Sequence, residues 1–203
     1  MLNPVPVIPP GLPALNSLEE ALSRKPCRDH RHRIEHAGYL EKTQLDRMKR
    51  LEVLPSESIG FCFPIGDSHL EALGEDRMKG YYPMRTLRDY GIIAGGNSDG
   101  FGENWAITGI HGCVTRKSMR GQVLCKDEAI PAMDAIRVYT LNGAYLEGTE
   151  KEKGSIETWK FADLIVLDRD ILTVDPDEII KAKVLTTIVG VEVVYERGPE
   201  PFP

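Results

Sequence analysis

Short apolar runs that alternate with single amphipathic helices constrain this chain more than any other feature of its sequence. Arg31 to Ala37 reads as a short strand. Thr43 is placed to cap a helix that puts Leu45, Met48 and Leu51 on one face. Ile59 to Phe63 is rich in β-branched and aromatic residues and reads as the next strand. Pro83 suits the first turn of a helix carrying Leu87 and Tyr90, and Gly91 supplies its left-handed end. Ile92-Ile93-Ala94-Gly95 follows as a buried strand. Asn104 then opens a helix with Ile107, Ile110 and Val114 on one face. Asp127 to Tyr145 is helical again, in two pieces expected to break near Asn142-Gly143. Strands separated by single helices imply βαβ units, a parallel sheet and an α/β class.

The flanks differ from this middle. Residues 1–16 hold Pro4, Pro6, Pro9, Pro10 and Pro13, which predicts an extended or disordered lead-in. Ser17 and Glu20 read as a capping box for a helix reaching about Lys25, ended by Pro26. The α/β units are therefore assigned to residues 17–150. From 151 to 197 the helices give way to strands at Leu164–Leu167 and, turning at Gly190, within Val184–Tyr195. Val191 is a poor residue for a tight primed turn, so a connection wider than two residues is expected there. Residues 198–203 form a proline-rich tail.

Composition narrows the function classes. With 41% hydrophobic and 28% charged residues over 203 positions, the chain can build a core. A formal charge of −6 without a basic stripe argues against nucleic acid as a partner. Its apolar runs fall far short of the roughly 20 residues of a membrane helix, and no basic-then-apolar leader is visible. Four cysteines without a CxxC pair suit a reduced, cytoplasmic protein better than a disulfide scaffold.

Two residues suggest chemistry. His36 and Asp99 each fall where a parallel strand gives way to a loop, the end at which open sheets and barrels build their sites. Imidazole and carboxylate are ordinary ligands of a divalent metal such as zinc, and an aspartate beside activated water can accept its proton. Taken singly, a strand-end histidine is more often structural, and Ser98-Asp99-Gly100 is more often a turn. Phe101 and Trp105 flank the Asp99 loop, where they either wall a substrate pocket or pack the loop down. His30 and His32 form an HxH pair, but they precede the strand that His36 follows. Six residues at about 3.3 Å each separate His30 from His36 by about 20 Å, too far to share an ion. The run Gly95 to Gly102 lacks both GxGxxG spacing and a P-loop lysine. His69 is expected in a loop and His111 half-buried on a helix, with Cys113 pointing elsewhere.

With these residues in place, the chain resembles the C-terminal part of a metal-dependent amidohydrolase, most of all amidohydrolase family 3, the branch that includes N-substituted formamide deformylases. The resemblance is carried by Arg31-His32-Arg33-Ile34-Glu35-His36-Ala37, Tyr82-Pro83-Met84-Arg85-Thr86-Leu87 and Asn97-Ser98-Asp99. It continues through Gly109-Ile110, Val114-Thr115-Arg116 and Tyr139-Thr140-Leu141-Asn142-Gly143-Ala144-Tyr145. It is closest at Gly154-Ser155-Ile156-Glu157, Ala162 to Asp170 and Thr187-Ile188-Val189-Gly190. It implies strands six to eight of a (β/α)8 barrel of TIM type, followed by part of a β-sandwich. It also implies a divalent metal, zinc by family habit, that activates water against a C–N bond in a small amide-like substrate. His36 would be the metal-ligand histidine after strand six, and Asp99 the metal-binding, proton-accepting aspartate after strand eight. Arg33 and Glu35 share that strand motif and are expected to be structural.

The departures from the family pattern are as informative. A full barrel runs about 250 residues, and here some 130 precede the C-terminal strands. The family's HxH after strand one, its ligand after strand four and its histidine after strand five have no counterpart. The Gln-Pro-x-His expected after strand seven reads Phe63-Pro64-Ile65-Gly66, and the usual Gly-Ser-Asp reads Asn97-Ser98-Asp99. Two protein ligands hold zinc weakly, so little hydrolase activity is expected of this chain alone. Exposed parallel edges predict a homo-oligomer or a complementing upstream half. The rival reading is a catalytically inactive truncated barrel that acts as a partner-binding module.

Overall fold

The computed structural model describes residues 12–100 and 105–198. Three short strands, β1 (Arg33–Glu35), β2 (Leu54–Glu57) and β3 (Gly95–Gly96), lie parallel in the order β1-β2-β3. The register sets Arg33 beside Leu54 and Glu35 beside Ser56, then Ser56 beside Gly95. Among the described residues seven α-helices accompany them: α1 (Leu12–Arg24), α2 (Lys42–Leu51), α3 (Cys62–Met78), α4 (Met84–Asp89), α5 (Trp105–Thr115), α6 (Ala132–Tyr139) and α7 (Leu141–Glu147). Leu15, Leu45, Met48, Val53, Ile59 and Leu87 join Ile107, Ile110 and Cys113 in one buried core.

A second, antiparallel sheet follows in the order β4 (Leu164–Leu167), β5 (Val184–Val189), β6 (Glu192–Glu196). Ile171, Ile179 and Ala182 from this segment are buried in the main core. A Lys117 Nζ to Asp177 Oδ1 contact of 2.8 Å adds a polar tie between the two parts.

Several expectations are corrected by competing local forces. The helix expected from Ser17 begins at Leu12, so the lead-in is helical rather than extended over its last residues. Pro13 fits a first turn, where no amide donor is missed, and Leu15 is fully buried. Ser17 consequently lies inside α1, its hydroxyl bonded back to the Pro13 carbonyl at 3.2 Å. Glu41 rather than Thr43 caps α2, in a capping box with Gln44.

The strand expected at Ile59–Phe63 is instead a 3-10 turn running into α3, and the strand is the preceding Leu54-Pro55-Ser56-Glu57. Proline within a strand normally forfeits a ladder bond. Here it forfeits none. Leu54 donates to His32 and Ser56 accepts from His36, both towards β1, at 2.9 Å each. Pro55 therefore faces the β3 side, where pairing starts only at Ser56. The Phe63–Gly66 tetrapeptide accordingly lies on α3, not at a strand end. The helical break falls at Thr140 (φ −127°, ψ −90°), before Asn142-Gly143, and His69 is on α3 rather than in a loop.

The β5–β6 connection is a tight two-residue turn, contrary to expectation. Val189 pairs with Glu192, and both Gly190 (φ 56°) and Val191 (φ 70°) are left-handed. Forcing a β-branched residue into that region costs about 1–2 kcal/mol. Val191 is 79% exposed, so little packing offsets the cost. Val191→Asn is therefore expected to stabilise the protein by about 1 kcal/mol, measured as a higher urea midpoint at unchanged slope. A lower midpoint would contradict the turn geometry.

Side chains alternate across β2. Ser56 and Ser58 share one face, and Glu57 faces the other. Glu57 is completely buried, and neither carboxyl oxygen has a hydrogen-bond partner among the described residues. Burial pushes its carboxyl up to about 8, against the pull of the Arg116 charge. Arg116 is itself fully buried, but its guanidinium donates to the carbonyls of Leu124 (3.0 Å), Tyr82 (3.2 Å) and Tyr81. The folded protein thus keeps a proton on Glu57 at pH values where the unfolded chain has lost it. The stability this confers is lost as pH rises from the ordinary carboxylate range towards 8. Glu57→Gln removes that dependence. Its advantage over the parent should grow between pH 5.5 and 8.5 by about 3 kcal/mol. A pH-independent difference in unfolding free energy would refute this.

Candidate metal centre

His36 and Asp99 meet at the carboxyl ends of the parallel strands. The ladder continues one residue past β1, where the His36 amide donates to the Ser56 carbonyl at 2.9 Å. It likewise continues past β3, where the Asn97 amide donates to the Glu57 carbonyl at 3.0 Å. β2 therefore anchors both segments directly before the chain turns away. His36 (φ 55°) and Asp99 (φ 48°) are both left-handed, a region where histidine and aspartate are over-represented among non-glycine residues. Their side chains are 50% and 45% exposed, and His36 Nε2 lies 3.7 Å from Asp99 Oδ1. That is too long for a hydrogen bond.

Behind this pair runs a chain of polar side chains. Nδ1 of His36 is 2.9 Å from Ser58 Oγ. The Ser58 hydroxyl donates to Asn97 Oδ1 at 2.6 Å, and Asn97 Nδ2 donates to Ser56 Oγ at 2.8 Å. Burial works to raise the Glu35 carboxyl, but a hydrogen bond with the Ser56 side chain and the Arg33 guanidinium together hold it below its usual range. Sequence reasoning missed Ser56 and Ser58. Their i, i+2 spacing is the signal of a shared strand face, but it is visible only once the strand is placed at Leu54–Glu57. Glu35, expected to be structural, belongs to the same line of contacts.

The donor types suit a divalent ion. Two ligand atoms about 2.0–2.1 Å from a tetrahedral zinc stand about 3.3–3.4 Å apart, so 3.7 Å is a slightly wide version of that spacing. Among the described residues, no group of three His, Cys, Asp or Glu side chains could hold a metal. The pair is therefore an incomplete donor set of fitting chemistry.

The other candidates are placed elsewhere. His30 accepts the His32 amide on Nδ1, stacks on the His32 ring and has its Nε2 2.9 Å from the Leu51 carbonyl. It lines an open groove of about 690 Å³, with Val53, Leu54 and Ile92, at the amino ends of the strands. This groove is thus at the end opposite the His36–Asp99 pair. Trp105, half-buried at the start of α5, packs edge-on against Phe61 and over Gly60, where a Cβ would come within 2.7 Å of the indole. Phe101 lies outside the described residues. His111 is buried, deeper than expected, and desolvation lowers its pKa. Burial pushes the Cys113 thiol up to about 12, so it stays protonated and unreactive.

Comparison with known proteins places the chain in a family. Residues 11–195 match the model of the amidohydrolase family. A putative amidohydrolase, YtcJ, of Bacillus subtilis is 30% identical over 91% of this chain and 36% of its own length. The N-substituted formamide deformylase of Arthrobacter pascens is 35% identical over 88% of this chain and 33% of its own. A crystal structure of an uncharacterized metal-dependent hydrolase from Pyrococcus horikoshii superposes with a TM-score of 0.66 at 29% identity, covering 81% of this chain and 32% of that one. The chain spans about a third of the length of these relatives. Matched over residues 11–195, the chain belongs to the amidohydrolase family.

Proposed function

We propose that this chain contributes one arc of an amidohydrolase active site that hydrolyses a non-peptide C–N bond in a small amide-like molecule. In this reading β1, β2 and β3 are three neighbouring strands of a (β/α)8 barrel, and β4–β6 are part of its sandwich domain. The observation that carries it is the approach of His36 Nε2 to Asp99 Oδ1, 3.7 Å apart at one rim of the sheet. The likeness to a named formamide deformylase supports an amide-like substrate.

A divalent ion, zinc by family habit, would polarise the substrate carbonyl and acidify water. His36 would offer it a neutral ring nitrogen, and Asp99 a carboxylate oxygen. Asp99 remains within reach of solvent and serves as the group that accepts a proton from water and returns one to the leaving nitrogen. In this reading Trp105, packed against Phe61 and over Gly60, would wall the substrate. Catalytic zinc sites normally use three protein ligands. This arc therefore needs donors from a further segment, and alone it should turn over little or no substrate.

Zinc titration by calorimetry is expected to show weak binding, reduced at least about tenfold by His36→Ala or Asp99→Asn. Binding unchanged by both substitutions would sink the metal site. Hydrolysis of an N-formyl amine should appear only when a segment supplying the missing ligands is present, and Asp99→Asn should abolish it.

One observation favours a second reading, a chain that binds rather than catalyses. Ile165, Val166, Val189, Val193, Val194 and Tyr195 leave both faces of the β4–β6 sheet about half-exposed. Such surfaces are usually covered. Under this reading a second copy covers them, and light scattering should show a stable dimer at micromolar concentration. A monomer would count against it.

A further inference from the structure

The contacts behind His36 can run in only one direction. Each serine hydroxyl has a single proton, an amide nitrogen only donates and an amide oxygen only accepts. Ser56 Oγ accepts from Asn97 Nδ2 at 2.8 Å. This fixes the orientation of the Asn97 amide and turns its Oδ1 towards Ser58, whose hydroxyl donates to it at 2.6 Å. With its own proton spent, Ser58 Oγ can only accept from the imidazole nitrogen 2.9 Å away, Nδ1 of His36. In the neutral ring the proton therefore sits on Nδ1, and Nε2 carries a lone pair.

We infer that Ser58 and Asn97 are positioning residues that lock His36 in its Nδ1–H tautomer, so that the Nε2 lone pair faces the Asp99 carboxylate across 3.7 Å. Lone pair and carboxylate repel at that distance, and a cation between them relieves the repulsion. Without the relay the Asp99 charge would draw the imidazole proton to Nε2 and close the site to a metal. The positioning role rests on the proposed metal reading, whereas the tautomer itself does not.

The test is a long-range proton–nitrogen correlation spectrum of the metal-free protein at pH 8, in which the two tautomers give different nitrogen patterns. His36 of the parent should show Nδ1–H. Ser58→Ala removes the acceptor, and Asn97→Ala frees the Ser58 proton to turn towards Nδ1. Both should move His36 predominantly to Nε2–H. Asn97→Asp keeps an acceptor facing Ser58 and should retain Nδ1–H. The signals of His30, His32, His69 and His111 report whether each variant is folded. If Ser58→Ala does not fold, the Asn97→Ala and Asn97→Asp pair decides. An Nε2–H parent, or identical tautomers in Asn97→Ala and Asn97→Asp, overturns the inference. Zinc affinity should then fall 10–100-fold in Asn97→Ala and not fall in Asn97→Asp. A confirmed tautomer with no zinc response at Nε2 leaves the relay standing and removes only the metal reading.

Discussion

The central position of β2 is the constraint on which the rest of the architecture depends. Each of its neighbours is held by a backbone bond at the last residue before the chain departs: His36 to Ser56 on one side, Asn97 to Glu57 on the other. Because the three strands are parallel, both departures occur at the same rim. A slip of one residue in either pairing would turn every side chain of that strand to the opposite face. His36 and Asp99 would then no longer meet. Their left-handed conformations, unfavourable in isolation, persist because the ladder leaves the chain no other exit.

The two faces of β2 handle polarity in opposite ways. On one, Ser56 and Ser58 belong to a line of partners that runs through Asn97 and ends on an imidazole. On the other, Glu57 is buried without hydrogen bonds and keeps its proton, while Arg116 directs its donors to the Tyr81, Tyr82 and Leu124 carbonyls. The guanidinium thus works as a clamp on two backbone segments rather than as the partner of an ion pair. One strand carries a buried line of partnered polar side chains on one face and a costly neutral acid on the other, a separation that follows from the two-residue period of side chains.

Much was legible in the residues themselves. The α/β alternation, β4, the helix ended by Gly91 and the candidate pair His36 and Asp99 were readable because apolar spacing, glycine and proline act locally. Errors arose where a local signal competed with a distant one. Pro55 concealed β2, because its harmlessness depends on which side of the strand the partner begins. Ser17 and Thr43 are good caps in isolation, yet burial of Leu15 and the Glu41–Gln44 box moved both helix starts upstream. Val191 read as unsuited to a tight turn, and strand pairing imposed that turn regardless.

The sequence by itself determined the family, the α/β alternation and the candidate pair of histidine and aspartate. These are properties of spacing and side-chain chemistry along the chain. Only the tertiary structure decided that a histidine after one strand and an aspartate after another lie 3.7 Å apart, with Ser58 and Asn97 behind them. That arrangement joins residues distant in sequence through the register of a parallel sheet. No local pattern encodes such a register, because it is set by which strands pair and where.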